Sequence, residues 1–307
     1  MSDPYQNPTA SPLLGPSVSG TRVTVDTLTK QHTKIPQIIR DLVAANEGYF
    51  AEEIFATPGF TVEGGAIEYT ESFPEDHFLD PEQTIGPRAP GSEAPIVGSK
   101  RKGPKIARPE SWAGQIEVHD EQRRRNDVIT VQGDFRKAAN TFADKLQSRA
   151  IETLDAFIDA TSREIDSINW GAALSSGVPN ADPATLPQVT FAAVMKQFIA
   201  DKAGVRPDLL ILHQDDAFLL DRIYGEKLPA LLDRYKLRML VSPQQTATEA
   251  VFAKAKQVGV MAFEKPLDTE YTREGKRKTD VYTMEATPVF VAHDASAVLR
   301  VTIGTQT

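Results

Sequence analysis

An α+β fold is predicted by three features of the 307-residue chain. Apolar residues (Phe142, Leu146, Ala150, Leu154, Phe157, Ile158, Ile165, Ile168) recur at three- and four-residue steps over 135–168 with no proline or glycine inside, which marks one long helix. Residues 188–247 alternate helix and strand patterns, and 250–303 carry a succession of strand patterns. Ahead of the long helix lies a proline- and glycine-rich excursion that cannot build a core of its own.

In chain order, residues 1–20 hold Pro4, Pro8, Pro12, Pro16, Gly15 and Gly20 among small polar residues and read as an extended arm. A short helix is expected over 36–45, where Ile38, Ile39, Leu42 and Val43 share a face. Residues 58–114 hold eight of the 21 prolines and eight of the 19 glycines, so they read as a long protruding β-loop. Its ends carry strand patterns at 60–63, 67–69 and 115–118. The helix over 135–168 would span about 50 Å at about 1.5 Å per residue, a spine with a narrow apolar stripe laid across a sheet. A loop over 171–187 closes this part.

The next unit begins with a helix over 191–203, then the buried-type strand 209–212. A helix over 215–224 follows, with Asp215 or Asp216 as its N-cap. A loop over 225–236 leads to a strand over 237–241, stopped by Ser242-Pro243. Strands are expected at 250–253, 258–263, 281–286, 288–292 and 298–303, interrupted by a basic turn over 272–278. The chain divides accordingly into 1–50, 51–120, 121–187, 188–247 and 248–307.

Hydrophobic residues make up 40% and charged residues 25%, a globular composition. No run approaches the roughly 18 apolar residues of a membrane span, and residues 1–8 have neither the basic segment nor the apolar core of a secretory leader. The absence of cysteine removes disulfides, thiolate metal sites and cysteine nucleophiles. A formal charge of −8 argues against attraction of the whole surface to nucleic acid.

Charge is segregated within the β-loop. Residues 61–82 contain seven acids, among them Glu63, Glu68 and Glu71, and no lysine or arginine. Residues 88–108 contain Arg88, Lys100, Arg101, Lys102, Lys105 and Arg108 against Glu93 alone. The two sides either pair with each other or reach complementary charge on a neighbouring chain. Further basic clusters stand at Arg123, Arg124 and Arg125 and at Arg273, Lys276 and Arg277.

A catalytic constellation is missing. Gly98-Ser99-Lys100-Arg101-Lys102-Gly103-Pro104 fails as a phosphate-binding loop because Pro104 takes the lysine position. The five histidines (32, 77, 119, 213, 293) lie in separate segments. His119-Asp120-Glu121 beside Arg123–Arg125 reads as a charged helix start or an ion cluster between subunits, and Asp215-Asp216 as a cap. Neither a Gly-x-Ser-x-Gly elbow nor the dinucleotide glycines occur. No cofactor or metal is expected.

Five stretches in order resemble the major capsid proteins of tailed phages with the Hong Kong 97 fold, in the form seen in actinobacterial phages. They are Gly64-Gly65-Ala66-Ile67-Glu68-Tyr69 with Ile85-Gly86-Pro87 and Gly91-Ser92-Glu93-Ala94-Pro95-Ile96, then Asp120-Glu121-Gln122-Arg123-Arg124-Arg125-Asn126. Pro207-Asp208-Leu209-Leu210-Ile211-Leu212 follows, and the closing runs are 286–291 and 297–303. The resemblance covers essentially the whole chain.

It implies an N-terminal arm over 1–50, an extended loop over 51–120 lying on the neighbouring subunit, and a spine helix of a peripheral domain within 121–187. It also implies an axial domain over 188–247 with its tip near 225–236, and return strands over 248–307 carrying a peripheral loop at 272–278. The implied function is an icosahedral shell of hexamers and pentamers around double-stranded DNA in the virion, assembled in the host cytoplasm. Implied partners are the chain itself, scaffolding, portal and decoration proteins, and DNA at the inner surface; no membrane is involved. The basic and acidic residues named above are then candidates for contacts between subunits. Capsids of this family that cross-link use a loop lysine and an asparagine near the C-terminal strands. No asparagine follows Asn180 here, so a shell held by non-covalent contacts is expected. The rivals are an encapsulin-like nanocompartment shell and an enzyme built on 188–247.

Overall fold

A computed structural model describes residues 41–43, 49–78, 85, 103–125, 127–175, 178–179 and 186–304. The predicted arm lies outside the described residues, as does most of the middle of the β-loop. Of the helix expected over 36–45, residues 41–43 are described and are helical.

The order opens with α1 (Ala51–Ile54), β1 (Phe55–Ala56), β2 (Ile67–Tyr69), β3 (Lys105–Ala107) and β4 (Trp112–His119). Next come α2 (Asp120–Arg125), α3 (Val128–Thr161), β5 (Glu164–Ser167), β6 (Leu174–Ser175) and β7 (Val178–Pro179). The second half holds α4 (Gln188–Ala200), β8 (Leu209–Leu212), α5 (Gln214–Tyr224), α6 (Leu228–Tyr235), β9 (Arg238–Val241) and β10 (Glu249–Ala253). It closes on β11 (Gly259–Glu274), β12 (Thr279–Ala292) and β13 (Val298–Ile303).

Two sheets organise these elements. One has four strands in the order β1-β11-β12-β4, the other five in the order β5-β13-β10-β8-β9. The 34-residue helix α3 serves both. Its first half places Val131, Phe135, Ala139, Ala143 and Leu146 in a core with Ile116, Val118, Tyr282 and Met284 of the four-stranded sheet. Its second half places Ala150, Ile151, Leu154, Phe157 and Ile158 in a larger core with the five-stranded sheet, α4, α5 and α6. Edge-to-face rings fix each side: Phe135 on Tyr282 at 5.4 Å, and Phe191 on Trp170, Tyr235 and Phe252 at 5.6–6.2 Å.

Several boundaries differ from the sequence reading for local reasons. Helix α3 begins at Val128, with the Asp127 side chain accepting from the Thr130 N–H, and ends at Thr161 instead of 168. Ser162 takes the left-handed conformation (φ 50°) and stops it, so Ile165 belongs to β5, whose residues alternate between exposed and half-buried. The helix read over 191–203 starts earlier, at Gln188. The N-cap of α5 is His213, whose Nδ1 accepts from the Asp215 N–H; Asp216 is buried and accepts from the Thr248 N–H instead.

The segment 225–236 is mainly helix, not loop. Pro229 sits in the first turn of α6, where its missing N–H costs nothing. Residues 60–63 are no strand: Val62 is buried and donates to Phe263 O, and Gly64 and Gly65 at positive φ turn the chain straight afterwards. The strands read at 258–263, 281–286 and 288–292 belong to one long hairpin, β11–β12. Its turn is confined to 275–278, so Thr272, Arg273 and Glu274 are in strand. Pro288 is tolerated within β12 because the ladder is irregular there, with register shifts at Phe263/Lys265 and Lys265/Asp268.

Candidate assembly surfaces

The β-loop leaves the body as a ribbon. Strands β2 and β3 pair antiparallel, Ile67 opposite Ala107 and Tyr69 opposite Lys105. Lys105 Nζ lies 2.5 Å from Glu71 Oε1, so part of the segregated charge is neutralised between the ribbon's own two sides. The ribbon base is tied to the corner between β12 and β13. Ser72 donates to His293 O at 2.7 Å, and Ala295 donates to Ser72 O at 2.9 Å. His77 Nε2 lies 3.3 Å from Ser296 Oγ. Ser296 Oγ itself donates to Asp294 Oδ1 at 2.5 Å, so the carboxylate engages the serine and not the imidazole; this is an anchor, not a nucleophile triad.

Large apolar side chains stand out along the excursion: Phe60 is 64% exposed, Phe78 52%, Ile85 83% and Ile106 68%. A free monomer gains nothing from displaying them.

The opposite end of the four-stranded sheet carries the basic clusters, and the structure sorts them into two kinds. Arg123 and Arg273, both partly exposed, share Asp280, whose side chain is fully buried: Arg123 Nη1 lies 3.0 Å from Oδ2 and Arg273 Nη1 2.8 Å from Oδ1. Tyr271 Oη also donates to Asp280, at 2.9 Å. Arg273 reaches Asp120 with its other amino group at 2.7 Å. Its hydrogen bond holds the Asp120 carboxyl below the usual range. Of the cluster read at His119-Asp120-Glu121, Asp120 is thus paired within the chain, across 153 residues of sequence, while Glu121 is exposed. Arg277 pairs with Glu117 at 3.4 Å. Arg124, Arg125, Lys276 and Lys278 are exposed and have no salt-bridge partner among the described residues.

Elsewhere in the ribbon, Glu63, Glu68 and Arg108 are exposed without salt-bridge partners among the described residues. Arg88, Lys100, Arg101 and Lys102 lie outside the described residues.

A third charged group joins α3 to the five-stranded sheet, and sequence reading missed it. Arg300 is bonded by Asp159, by Glu164 at 2.8 Å and more loosely by Glu249 at 3.8 Å. Asp155 stands beside them with Oδ1 buried and unpartnered. Burial first, then the charge of Glu249, raises its pKa to about 6. Only the recurrence of acids at 155 and 159, one helical turn apart, could have pointed to it.

Among the described residues no three His, Asp or Glu side chains are placed to hold a metal. A long helix spanning two cores, a paired ribbon anchored at its base and a long hairpin ending in arginines make up a fold of the Hong Kong 97 class. The chain belongs to the phage capsid protein family, whose model matches residues 102–301. Solved structures agree on the fold. A structure of Mycobacterium phage Bobi superposes with a TM-score of 0.57 at 12% identity, over 82% of this chain and 89% of that one. A virus-like particle from Pyrococcus furiosus gives 0.56 at 12%, over 89% and 99%. The capsid of cyanophage P-SCSP1u gives 0.55 at 10%, over 84% and 89%. No curated protein matches the chain in sequence. As a phage capsid protein it is a structural component of the virion and not an enzyme.

Proposed function

We propose that the chain assembles as hexamers and pentamers into an icosahedral shell around double-stranded DNA, with the ribbon of each subunit lying on its neighbour. The observation that carries this reading is the exposure of Phe60, Phe78, Ile85 and Ile106 along one excursion. Burying such side chains at about 25 cal/mol per Å² stabilises an assembly without any covalent link. The unit over 188–247 serves as the axial domain and the turn at 275–278 as a peripheral contact. Scaffolding, portal and decoration proteins are the expected partners, and the host cytoplasm the place of assembly. Exposed ion pairs contribute only about 0.2–1 kcal/mol each, yet a closed shell engages several per subunit at once. The shell is non-covalent, because the chain has no asparagine after Asn180 to accept a loop lysine.

Deleting residues 70–108 tests the reading. The deletion leaves a folded, soluble subunit by circular dichroism and abolishes shells in sedimentation and electron microscopy. Normal shells from the deletion would remove the ribbon from the assembly contacts. Wild-type particles filled with protein and free of nucleic acid would assign the chain to a nanocompartment.

A further inference from the structure

The acids of the ribbon base and the outward arginines are complementary, and they stand too far apart in one chain to meet. Glu63, Glu68 and Glu75 are exposed, with no salt-bridge partner among the described residues. They are tethered beside Phe263 and His293 by the backbone bonds of Val62 and Ser72. At the other end of the hairpin, α2 and the 275–278 turn enclose a cleft of about 490 Å³. Arg124, Arg125, Arg277 and Lys278 line it. The eleven steps of β11 from Phe263 to Glu274 put about 35 Å between the two ends at about 3.3 Å per residue.

We propose that the cleft of Arg124, Arg125, Arg277 and Lys278 receives the acidic segment 63–76 of a second copy of this chain. The inference rests on the reading of the ribbon as a contact arm and names its receptor. Nucleic acid fits the cleft less well. Asp120, Glu121 and Asp127 also line it, so a continuous phosphate backbone would meet carboxylates, whereas a protein segment with spaced acids can place its charges against the arginines. Arg124 and Arg125 have no salt-bridge partner among the described residues, unlike Arg123, which holds Asp280, and Arg277, which holds Glu117.

Reciprocal charge reversal in the full chain tests the pairing. Arg124→Glu with Arg125→Glu, or Glu63→Lys with Glu68→Lys and Glu75→Lys, each lowers the yield of shells about tenfold or more, and combining all five restores it. Circular dichroism melts of the unassembled subunits establish that each variant folds. Wild-type yield from the arginine variant overturns the proposal, and so does a combination no better than its parts. Wild-type yield with reduced nucleic acid content overturns it in favour of DNA. If the arginine variant assembles while the 70–108 deletion does not, the receptor is wrong and the contact arm stands. If the deletion also assembles, the contact arm itself falls.

Discussion

Gly259 faces the backbone of Val291 so closely that a β-carbon built on it would lie 2.0 Å from the Val291 carbonyl oxygen. The same carbon would lie 2.8 Å from Ala292 Cα. Gly259 opens β11 and pairs with both Ala292 of β12 and Phe55 of β1, so any retreat moves three strands. Gly259→Ala should destabilise the subunit by about 1–3 kcal/mol or more, as overpacking against backbone does. A lowered urea midpoint with unchanged slope would show it; an unaltered midpoint would mean that the strands slide apart freely.

Asp280 is the carboxylate on which the hairpin end closes. Asp280→Ala leaves Arg123 and Arg273 near one another with no anion between them. Removing one partner of a buried pair costs about 3–5 kcal/mol, and the partly exposed arginines put this site at the lower end. Asp280→Asn keeps the shape and an acceptor and should cost less. Equal losses for the two variants in equilibrium unfolding would show that shape, not charge, sets the effect.

Asp155 gives the subunit a signature in pH. Its folded pKa of about 6 lies above the ordinary carboxylate value of 3.8, so between these values the native state holds a proton that the unfolded chain has lost. Stability contributed by this site is therefore fully present below pH 3.8 and is lost as pH rises through 6. Asp155→Asn should stabilise the protein at pH 7 and flatten the difference between pH 5 and pH 7. Parallel pH profiles for the variant and wild type in thermal melts would locate the titration elsewhere.

Ser72→Pro removes the donor to His293 O while leaving the Ser72 carbonyl in place. A hydrogen bond contributes about 1 kcal/mol net, so amide exchange across β2 and β3 should quicken roughly fivefold. Amides of β8 and β10 should be unaffected. Uniform quickening would show that the anchor supports the whole body.

Legibility followed locality. Strands β8 and β13 were readable to the residue because a run of four fully buried apolar side chains, or a clean strand pattern before a polar end, is written in consecutive positions. The end of α3 was not, because a serine in left-handed conformation stops it where a glycine would have announced the stop, and Ile165 and Ile168 continue the helical spacing by coincidence. Helix α6 was hidden by Pro229, a breaker everywhere except in a first turn. The assembly surfaces were legible as clusters of like charge but not as partnerships. Arg123 and Asp280 are 157 residues apart, and Arg300 and Asp159 are 141 apart. Nothing in the neighbourhood of either arginine distinguishes it from Arg124, which faces outward.

The order of strands also sets a clock. Every pairing in the four-stranded sheet involves β11 or β12, and in the five-stranded sheet only β8 and β9 pair without β10 or β13. A ribosome that has released the chain only as far as residue 248 has made the ribbon and the long helix, but neither of the surfaces on which that helix rests. Long-range closure of this kind is slow. The body from which the ribbon is presented therefore closes only once β10 to β13 have been made, and a nascent chain that stops short of them is no competent building block.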